Sequence, residues 1–404
     1  MRARRSLAGI GCAAACVPVG KGFAYALRAA AARRDGVELE PGVPVPEPSA
    51  GLAAAVAIDS AITMPMGLLA SMGSRADYAR ASAELDDAVR FYDEAGWLAD
   101  PSGRHPAPTA TPEGTIEPAP GRERDVELLR FDSAWQPVDG EPGAERWRSS
   151  TANAVVPVRL LRHAGGPRPW LVAVHGQGMG RPMDIGFLRM RRLHEQLGIN
   201  VALPVLPLHG PRAAGFAPDR QFVSNLFPVN NVLGLTQAVW DVRRLLLWLR
   251  DVEGAPAVGV FGLSLGSYTC SLLSTVEADV ACVVAVVPTS DLAGELRRAE
   301  PVTAARKQLH RALHDERSVA VHGVVSPVAR PCLVPHERRF IVAGQADRIA
   351  SPAGAARLWQ HWGEPSIQWR PRGHVTTPRT AAYDDHLSAI LTASGLVAEP
   401  GGAR

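Results

Sequence analysis

The sequence predicts an α/β protein in which a mostly parallel central sheet is covered by helices on both faces. Between about residue 123 and residue 290, short apolar runs alternate with segments of helical pattern. Four of these runs, at residues 170–176, 200–210, 257–262 and 281–288, are mainly apolar and end at glycine or proline, which is typical of parallel strands buried on both faces. The 404 residues, 46% apolar and 21% charged, match a globular protein with one large core and an accessory region.

Eight apolar runs are the strand candidates. In chain order they are residues 125–131, 155–163, 170–176, 200–210, 257–262, 281–288, 339–344 and 366–374. Helical patterns separate them, the longest at residues 230–252. A proline- and arginine-rich insertion at about 291–338 interrupts the alternation before the last two strands.

Residues 1 to about 100 have mostly helical patterns and form a predicted N-terminal extension. The first residues resemble a signal peptide, with a cleavage-like Ala24–Ala26. Lys21 interrupts the weakly apolar stretch before that point, so we expect an uncleaved helix and a cytoplasmic protein.

A second apolar stretch, residues 52–72, is about long enough to span a bilayer. Asp59 near its middle would cost about 2.5 to 3.5 kcal/mol in the bilayer, and Pro65 and Gly67 weaken it further as a spanning helix. We therefore expect a packed or interfacial helix, and the N-terminal region is a candidate for peripheral contact with a membrane.

A polar, proline-rich segment at residues 101–122 is typical of a loop or linker. It divides the chain into a helical N-terminal extension with its linker, residues 1–122, and an α/β domain, residues 123–396.

A serine between two glycines follows the strand candidate at 257–262. Gly262, Ser264 and Gly266 fit the pattern GxSxG, with a helical pattern directly after it. A tight turn at a strand end exposes a serine hydroxyl as a nucleophile, and the turn needs small flanking residues because its backbone is crowded. The competing interpretation is a glycine-rich turn with an incidental serine.

A serine nucleophile needs a base and an orienting carboxylate, which should follow at the ends of later strands. Asp347 lies just beyond one strand candidate, and His374 follows the next one. Asp291, after the strand at 281–288, is the alternative acid. His361 and His386 fall within helical patterns, where packed histidines are expected.

Acyl transfer also needs hydrogen-bond donors for an oxyanion. The turn supplies the backbone N–H of Leu265, and a second donor should follow an earlier strand. His175, Gly176, Gln177 and Gly178 form an HGxG turn there, and we predict the N–H of Gln177 as that donor. A dinucleotide or phosphate loop is the competing interpretation, but the third glycine of the dinucleotide fingerprint is absent and no Walker lysine follows.

His209 and Arg212 follow another strand candidate and are candidate pocket residues, with a structural turn held by Arg212 as the alternative. The net charge of +3 comes without a basic stripe interleaved with aromatics, so nucleic acid is not an expected partner. Five scattered cysteines form no CxxC pair, and no metal-ligand spacing stands out. We assign no cofactor and no metal.

The motifs HGQG, GLSLG, GQAD and GH occur in this order, and with them the chain resembles the α/β-hydrolase superfamily over about residues 125–395. HGQGMG, PVLPLHGPR and the helix ending RRLLLWL are similar to the abhydrolase-domain group 18 type, which is linked with lipid acyl ester hydrolysis. The resemblance implies an α/β-hydrolase fold with a lid at 291–338, and a triad in which Ser264 attacks an ester, His374 takes its proton and Asp347 orients the imidazole.

Two alternatives to a lipophilic ester hydrolase stay open at this point. One is a binding protein that retains a hydrolase-like fold without catalysis. The other is the same triad acting on a peptide, lactone or thioester, or in acyl transfer, because a fold does not dictate a substrate.

Overall fold

The computed structural model describes residues 2–70, 73–120, 125–213, 222–301 and 303–397, and for residues 2–16 and 65–70 it describes the backbone only. A nine-stranded sheet runs through these residues, in the order β1-β2-β3-β5-β4-β6-β7-β8-β9. Its strands are β1 Gly114–Pro118, β2 Glu127–Asp132, β3 Val155–Leu161, β4 Trp170–Val174, β5 Asn200–Pro204, β6 Val258–Leu263, β7 Val283–Val286, β8 Arg339–Gly344 and β9 Ser366–Arg370.

The first strands pair antiparallel up to the β3–β5 contact, and every pairing from β5 to β9 is parallel. The predicted α/β fold is therefore confirmed. Parallel strands bring their carboxyl ends to one edge of a sheet, where ligands bind in open α/β folds. This edge is where the motif residues of the sequence should meet.

Thirteen helices accompany the sheet in the described ranges. They are α1 Arg2–Asp35, α2 Ala50–Ala70, α3 Arg75–Glu94, α4 Ala144–Arg148, α5 Asp184–Phe187, α6 Met190–Leu197, α7 Pro228–Asp251, α8 Leu265–Leu273, α9 Leu292–Arg298, α10 Ala304–Leu313, α11 Glu316–Gly323, α12 Pro352–His361 and α13 Ala381–Ala393. Successive residues of β4 alternate between two cores: Val172 packs with the α7 and α8 side, and Leu171 packs with the α6 and α13 side. Both faces of the sheet are thus covered.

Strand β1 differs from the sequence prediction, which assigned its residues to the linker. Gly114–Pro118 pairs with β2, and Ile116 lies opposite Leu129. All five residues of β1 are exposed, so no buried face requires the alternation of apolar and polar residues by which a strand is recognised in a sequence. Its pairing depends on the neighbouring strand, which local composition does not encode.

The N-terminal extension packs against the α/β domain at two places. Helices α1 and α2, called here the N-terminal helix pair, contact each other closely: a Cβ on Gly22 would lie 2.2 Å from the Ala53 carbonyl oxygen. Helix α3 begins with a capping box at Ser74 and packs against α10 and α11 of the insertion between β7 and β8. Within the described ranges, none of the helices combines the length and apolar character needed to cross a bilayer.

Candidate active site

Ser264 lies on a strained turn between β6 and α8. Its φ of 55° and ψ of −113° fall in a region that residues with a side chain rarely adopt. Gly262 and Gly266 make the turn feasible, since a Cβ on Gly262 would lie 2.2 Å from the Gly266 carbonyl oxygen, and one on Gly266 would lie 2.0 Å from that of Val174. The side chain of Ser264 is half-buried at the carboxyl end of the sheet.

A chain of two hydrogen bonds connects Ser264, His374 and Asp347. Nε2 of His374 lies 2.9 Å from the Ser264 hydroxyl, and Nδ1 lies 2.6 Å from Oδ2 of Asp347. In the neutral imidazole that fits this arrangement, Nδ1–H donates to the carboxylate and Nε2 accepts from the serine hydroxyl. The three residues that the sequence proposed as a triad therefore form a hydrogen-bonded chain with His374 in the middle.

The Asp347 carboxylate is fixed by backbone donors. Its Oδ1 accepts from the N–H groups of Ile349 and Ala350 at 2.9 and 2.8 Å, which leaves Oδ2 for His374. Asp291, the alternative acid, instead caps α9 through Gly294 N–H. Its carboxylate also pairs with a guanidinium, that of Arg357 at 3.2 Å.

The loops after β8 and β9, which present Asp347 and His374, continue to pair beyond the strands. The N–H groups of Gln345 and Ala346 donate to the carbonyl oxygens of Arg370 and Arg372 at 2.8 and 3.0 Å. Gly344 permits this approach, because a Cβ there would lie 2.8 Å from the Arg372 carbonyl oxygen. Asp347 and His374 therefore lie on two loops whose backbones are hydrogen-bonded to each other.

Opposing effects act on the protonation of His374. Burial by itself lowers the pKa of the imidazole, because the charged form loses its solvation. Three carboxylates outweigh burial and raise the pKa above its ordinary value: those of Asp347, Asp59 and Glu295. The site therefore stabilises the imidazolium that would form when the histidine accepts a proton from serine.

The HGxG turn lies directly against Ser264. A Cβ on Gly176 would be 3.4 Å from Cβ of Ser264. His175 closes the turn, because its Nδ1 donates to the Gly176 carbonyl oxygen at 2.8 Å and its Nε2 accepts from Leu206 N–H at 3.1 Å. Burial lowers the pKa of His175 to about 4, so it is neutral and fits both bonds.

Gln177, the predicted oxyanion donor, is anchored by its side chain. Its Nε2 donates to the Phe222 carbonyl oxygen at 3.0 Å, and its Oε1 lies 3.0 Å from Nε2 of His209. His209 is buried, and burial lowers its pKa to about 3. Of the two candidate pocket residues, His209 thus contacts the HGxG turn beside Ser264.

Arg212, the other candidate pocket residue, stabilises the segment after β5 from inside the protein. Its side chain is 1% exposed and pairs with Asp241 at 2.9 Å. It also donates to the carbonyl oxygens of Val205 and Asn153, both at 2.8 Å. These contacts favour the structural alternative for Arg212, because its guanidinium is buried and bonded to Asp241 and to two backbone carbonyl oxygens.

The two rival histidines lie on helices, as expected for packed residues. His361 is on α12, where its Nε2 lies 2.8 Å from the Arg330 carbonyl oxygen. His386 is on α13, and burial lowers its pKa. Neither helix position competes with His374 for Ser264.

Two carboxylates near the triad were not singled out as site residues. Glu295 on α9 accepts from Ser351 N–H at 2.8 Å, and Asp59 on α2 accepts from His374 N–H at 2.6 Å. The signal for Asp59 was its presence in an otherwise apolar helix, since a buried charge is retained only with partners. Glu295 gave no such signal.

No family model matches the sequence. Among solved structures, the chain is similar to acetyl xylan esterase 1 from Thermoanaerobacterium sp. JW/SL YS485, with 13% identity, coverage of 74% of this chain and 93% of that chain, and a TM-score of 0.47. It is also similar to a cold-adapted esterase from an Arctic intertidal metagenomic library, with 16% identity, coverage of 72% and 100%, and a TM-score of 0.43.

Two curated relatives, both uncharacterized proteins of Mycobacterium tuberculosis, match most of the chain. MT2702 of strain CDC 1551 / Oshkosh is 38% identical over 364 residues, or 89% of this chain and 86% of the relative. Rv2627c of strain ATCC 25618 / H37Rv is 37% identical over the same length and coverage. The chain therefore belongs to the same family as these two mycobacterial proteins.

Proposed function

We propose that this protein is a serine hydrolase that cleaves carboxylic esters through an acyl-enzyme. The observation that carries the proposal is the hydrogen-bond chain from the Ser264 hydroxyl to His374 at 2.9 Å and onward to Asp347 at 2.6 Å. Nucleophile, base and orienting acid in this arrangement define the triad mechanism, whichever fold carries them.

In the proposed reaction, Nε2 of His374 takes the hydroxyl proton as the Ser264 oxygen attacks the ester carbonyl carbon. Asp347 keeps the proton of Nδ1 in place and stabilises the imidazolium. The tetrahedral intermediate collapses, the alcohol leaves with the proton from Nε2, and the acyl group stays on serine. Water then attacks the acyl-enzyme by the same route and releases the acid.

The negative oxygen of the tetrahedral intermediate needs donors that are in place before the reaction. We assign this role to the backbone N–H groups of Leu265 and Gln177. Leu265 is the first residue of α8, where the helix dipole favours negative charge. The side chain of Gln177 is bonded to Phe222 and lies beside His209, which supports a fixed position for its backbone. Losing one such donor typically costs about 10²- to 10³-fold in rate.

A lipophilic acyl ester is the substrate class that we propose. The resemblance of the sequence to the group linked with lipid acyl esters favours it, and so does the helical insertion at the position of a lid. Helices α9, α10 and α11 make up this insertion, and their buried residues Leu296, Leu313 and Val321 belong to the main hydrophobic core.

A fluorophosphonate probe, which phosphonylates activated serines, tests the reaction type. We expect the wild type to be labelled and Ser264→Ala to give no label, because Ser264 is the proposed nucleophile. Ser267→Ala is a matched control, since Ser267 lies on the same turn and donates to the Ser264 carbonyl oxygen. Equal labelling of wild type and Ser264→Ala would refute the proposal.

A panel of p-nitrophenyl esters with increasing acyl chain length tests the substrate class. A maximum at long chains supports a lipophilic acyl ester. A maximum at acetate would contradict the lipophilic substrate while retaining the esterase. Labelling by the probe without turnover of any ester would direct the search to peptides, lactones and thioesters. Absence of both labelling and turnover would favour a binding protein without catalysis.

A further inference from the structure

Asp59 places a carboxylate of the N-terminal helix pair beside the proposed triad. It is fully buried on α2, and its Oδ2 accepts from the N–H groups of His374 at 2.6 Å and Arg348 at 3.1 Å. Its Oδ1 accepts from Val375 N–H at 3.2 Å. One side chain thus bonds the backbone of the histidine loop and the backbone of the residue that follows Asp347.

The approach of Asp59 depends on a glycine immediately before the histidine. A Cβ on Gly373 would lie 2.4 Å from Oδ2 of Asp59 and 2.8 Å from its Cγ. Any side chain at position 373 would therefore displace the carboxylate from the N–H of His374. The glycine in the GH motif of this chain has a specific physical reason, which is the space that the Asp59 carboxylate occupies.

Further contacts fix the helix pair to the acid loop. The Tyr25 hydroxyl on α1 donates to the Gln345 carbonyl oxygen at 3.0 Å, and Nε2 of Gln345 donates to the Pro44 carbonyl oxygen at 2.9 Å. After the acid loop, the Ser351 hydroxyl donates to Glu40 at 3.0 Å. Asp59 therefore belongs to a docked unit with several anchors on the loop that presents Asp347.

We propose that Asp59 is a positioning residue of the triad: its carboxylate holds the His374 loop and the Asp347 loop together, so that the N-terminal helix pair completes the active site. The inference rests on the proposed serine hydrolase function and deepens it. Asp59 acts through the backbone, and it takes no part in bond making or breaking.

The charge of Asp59 has a second effect, on His374. The charged groups that face the imidazole are Asp347 from the β8 loop, Asp59 from α2 and Glu295 from α9, and all three raise its pKa. The pKa of Asp59 itself is raised by burial and by Asp347, whereas its three backbone N–H donors lower it. Removing the negative charge at position 59 therefore lowers the pKa of His374.

Asp59→Asn is the direct test, because it keeps the size of the side chain while removing its charge and one acceptor. We expect fluorophosphonate labelling of Ser264 to slow by about 10- to 100-fold, the cost of a small misplacement of a reacting group. The midpoint of the acidic limb of the labelling rate should also move to lower pH, because the imidazole loses a nearby negative charge. Loss of packing alone would not move that midpoint.

Tyr25→Phe is the matched control for the docking of the helix pair. It removes the bond from Tyr25 to the Gln345 carbonyl oxygen without changing any charge near His374. The acidic midpoint should therefore stay at the wild-type value in Tyr25→Phe. Thermal unfolding of both variants, followed by circular dichroism, separates loss of fold from loss of positioning.

Gly373→Ala, in which the Asp59 carboxylate itself is unchanged, tests the same contact independently of Asp59→Asn. Gly373→Ala alone should slow labelling strongly, since its methyl group meets the Asp59 carboxylate. In Asp59→Ala, which leaves room for that methyl group, adding Gly373→Ala should cost much less. An equal cost in both backgrounds would overturn the inference.

The two proposals fail in different ways. If Asp59→Asn labels at the wild-type rate with the wild-type midpoint, the positioning role is wrong and the hydrolase proposal stands. If the wild type itself is not labelled, the hydrolase proposal is wrong, and the inference that rests on it is wrong as well.

Discussion

The central sheet and the N-terminal helix pair contribute to one site by different physical means. The sheet places Ser264, Asp347 and His374 through topology, since parallel strands end at the same edge. The helix pair contributes Asp59, whose carboxylate bonds a backbone group 315 positions later in the chain. The comparison teaches that strand order positions three residues through the pairing of whole strands, whereas the helix pair reaches His374 through one side chain, which a substitution of Asp59 removes.

The largest expected effect distinguishes Asp347 from Asp59 and from Asp291, the alternative acid. Asp347→Asn should lower kcat/KM by about 10³- to 10⁴-fold, because the amide favours the wrong imidazole tautomer. Asp59→Asn should cost less, since it acts through the backbone. Asp291→Asn should cost least, because Asp291 caps α9 and pairs with Arg357.

Steady-state kinetics of these three variants on one p-nitrophenyl ester check this order. A larger loss in Asp291→Asn than in Asp347→Asn would reassign the acid to the end of β7. Equal losses in Asp347→Asn and Asp59→Asn would remove the distinction between the sheet and the helix pair.

A second prediction compares one glycine from each region. Gly266→Ala would bring a Cβ to 2.0 Å from the Val174 carbonyl oxygen inside the sheet, and it should lower the free energy of unfolding by about 3 kcal/mol or more. Gly22→Ala would bring a Cβ to 2.2 Å from the Ala53 carbonyl oxygen between α1 and α2. It should loosen the helix pair while the sheet stays folded.

Chemical denaturation and limited proteolysis measure these two effects. Gly20→Ala is the control on the same helix, because a Cβ there meets nothing within 4 Å. We expect it to leave the protein as stable as the wild type or slightly more stable, by up to about 1 kcal/mol. A global loss of stability in Gly22→Ala equal to that in Gly266→Ala would mean that the helix pair is part of the same cooperative core.

The smallest expected effect concerns pH. His374 must be neutral to accept a proton, and its pKa is raised above the ordinary value of 6.5. The acidic limb of kcat/KM should therefore have its midpoint above that value, with activity rising as the pH increases through it. Glu295→Gln should lower the midpoint by less than Asp59→Asn, since Asp59 has the larger influence on His374. A wild-type midpoint below the ordinary value would contradict the electrostatic account.

The sequence was sufficient to predict those site residues whose type is required by the local backbone. Gly262 and Gly266 could be interpreted as the sides of a nucleophile turn because no larger residue fits there. The eight strand candidates predicted β2 to β9, and the pattern was clearest for β4 to β7, which are buried at every residue and therefore need apolar side chains. The expected order of serine, acid and histidine along the chain then identified Asp347 and His374 as the other two candidates.

The sequence was insufficient where a partner lies far away along the chain. The exposed strand β1 carries no pattern of its own and exists through β2. The role of Arg212 stayed open because its partner Asp241 lies on α7, which the local motif does not include. From the sequence, Asp59 could be interpreted only as an argument against membrane insertion. The backbone N–H groups that its carboxylate binds lie at positions 348, 374 and 375, far from it along the chain.

The 315 positions between Asp59 and His374 also have a consequence for biosynthesis. A ribosome makes the first helices long before the loops that they bind, so the helix pair has no docking surface during most of translation. The triad geometry can form only when the last strand has left the exit tunnel. With the proposed function, a nascent chain of this protein cannot hydrolyse an ester until its synthesis is nearly finished and the polypeptide can fold as a whole.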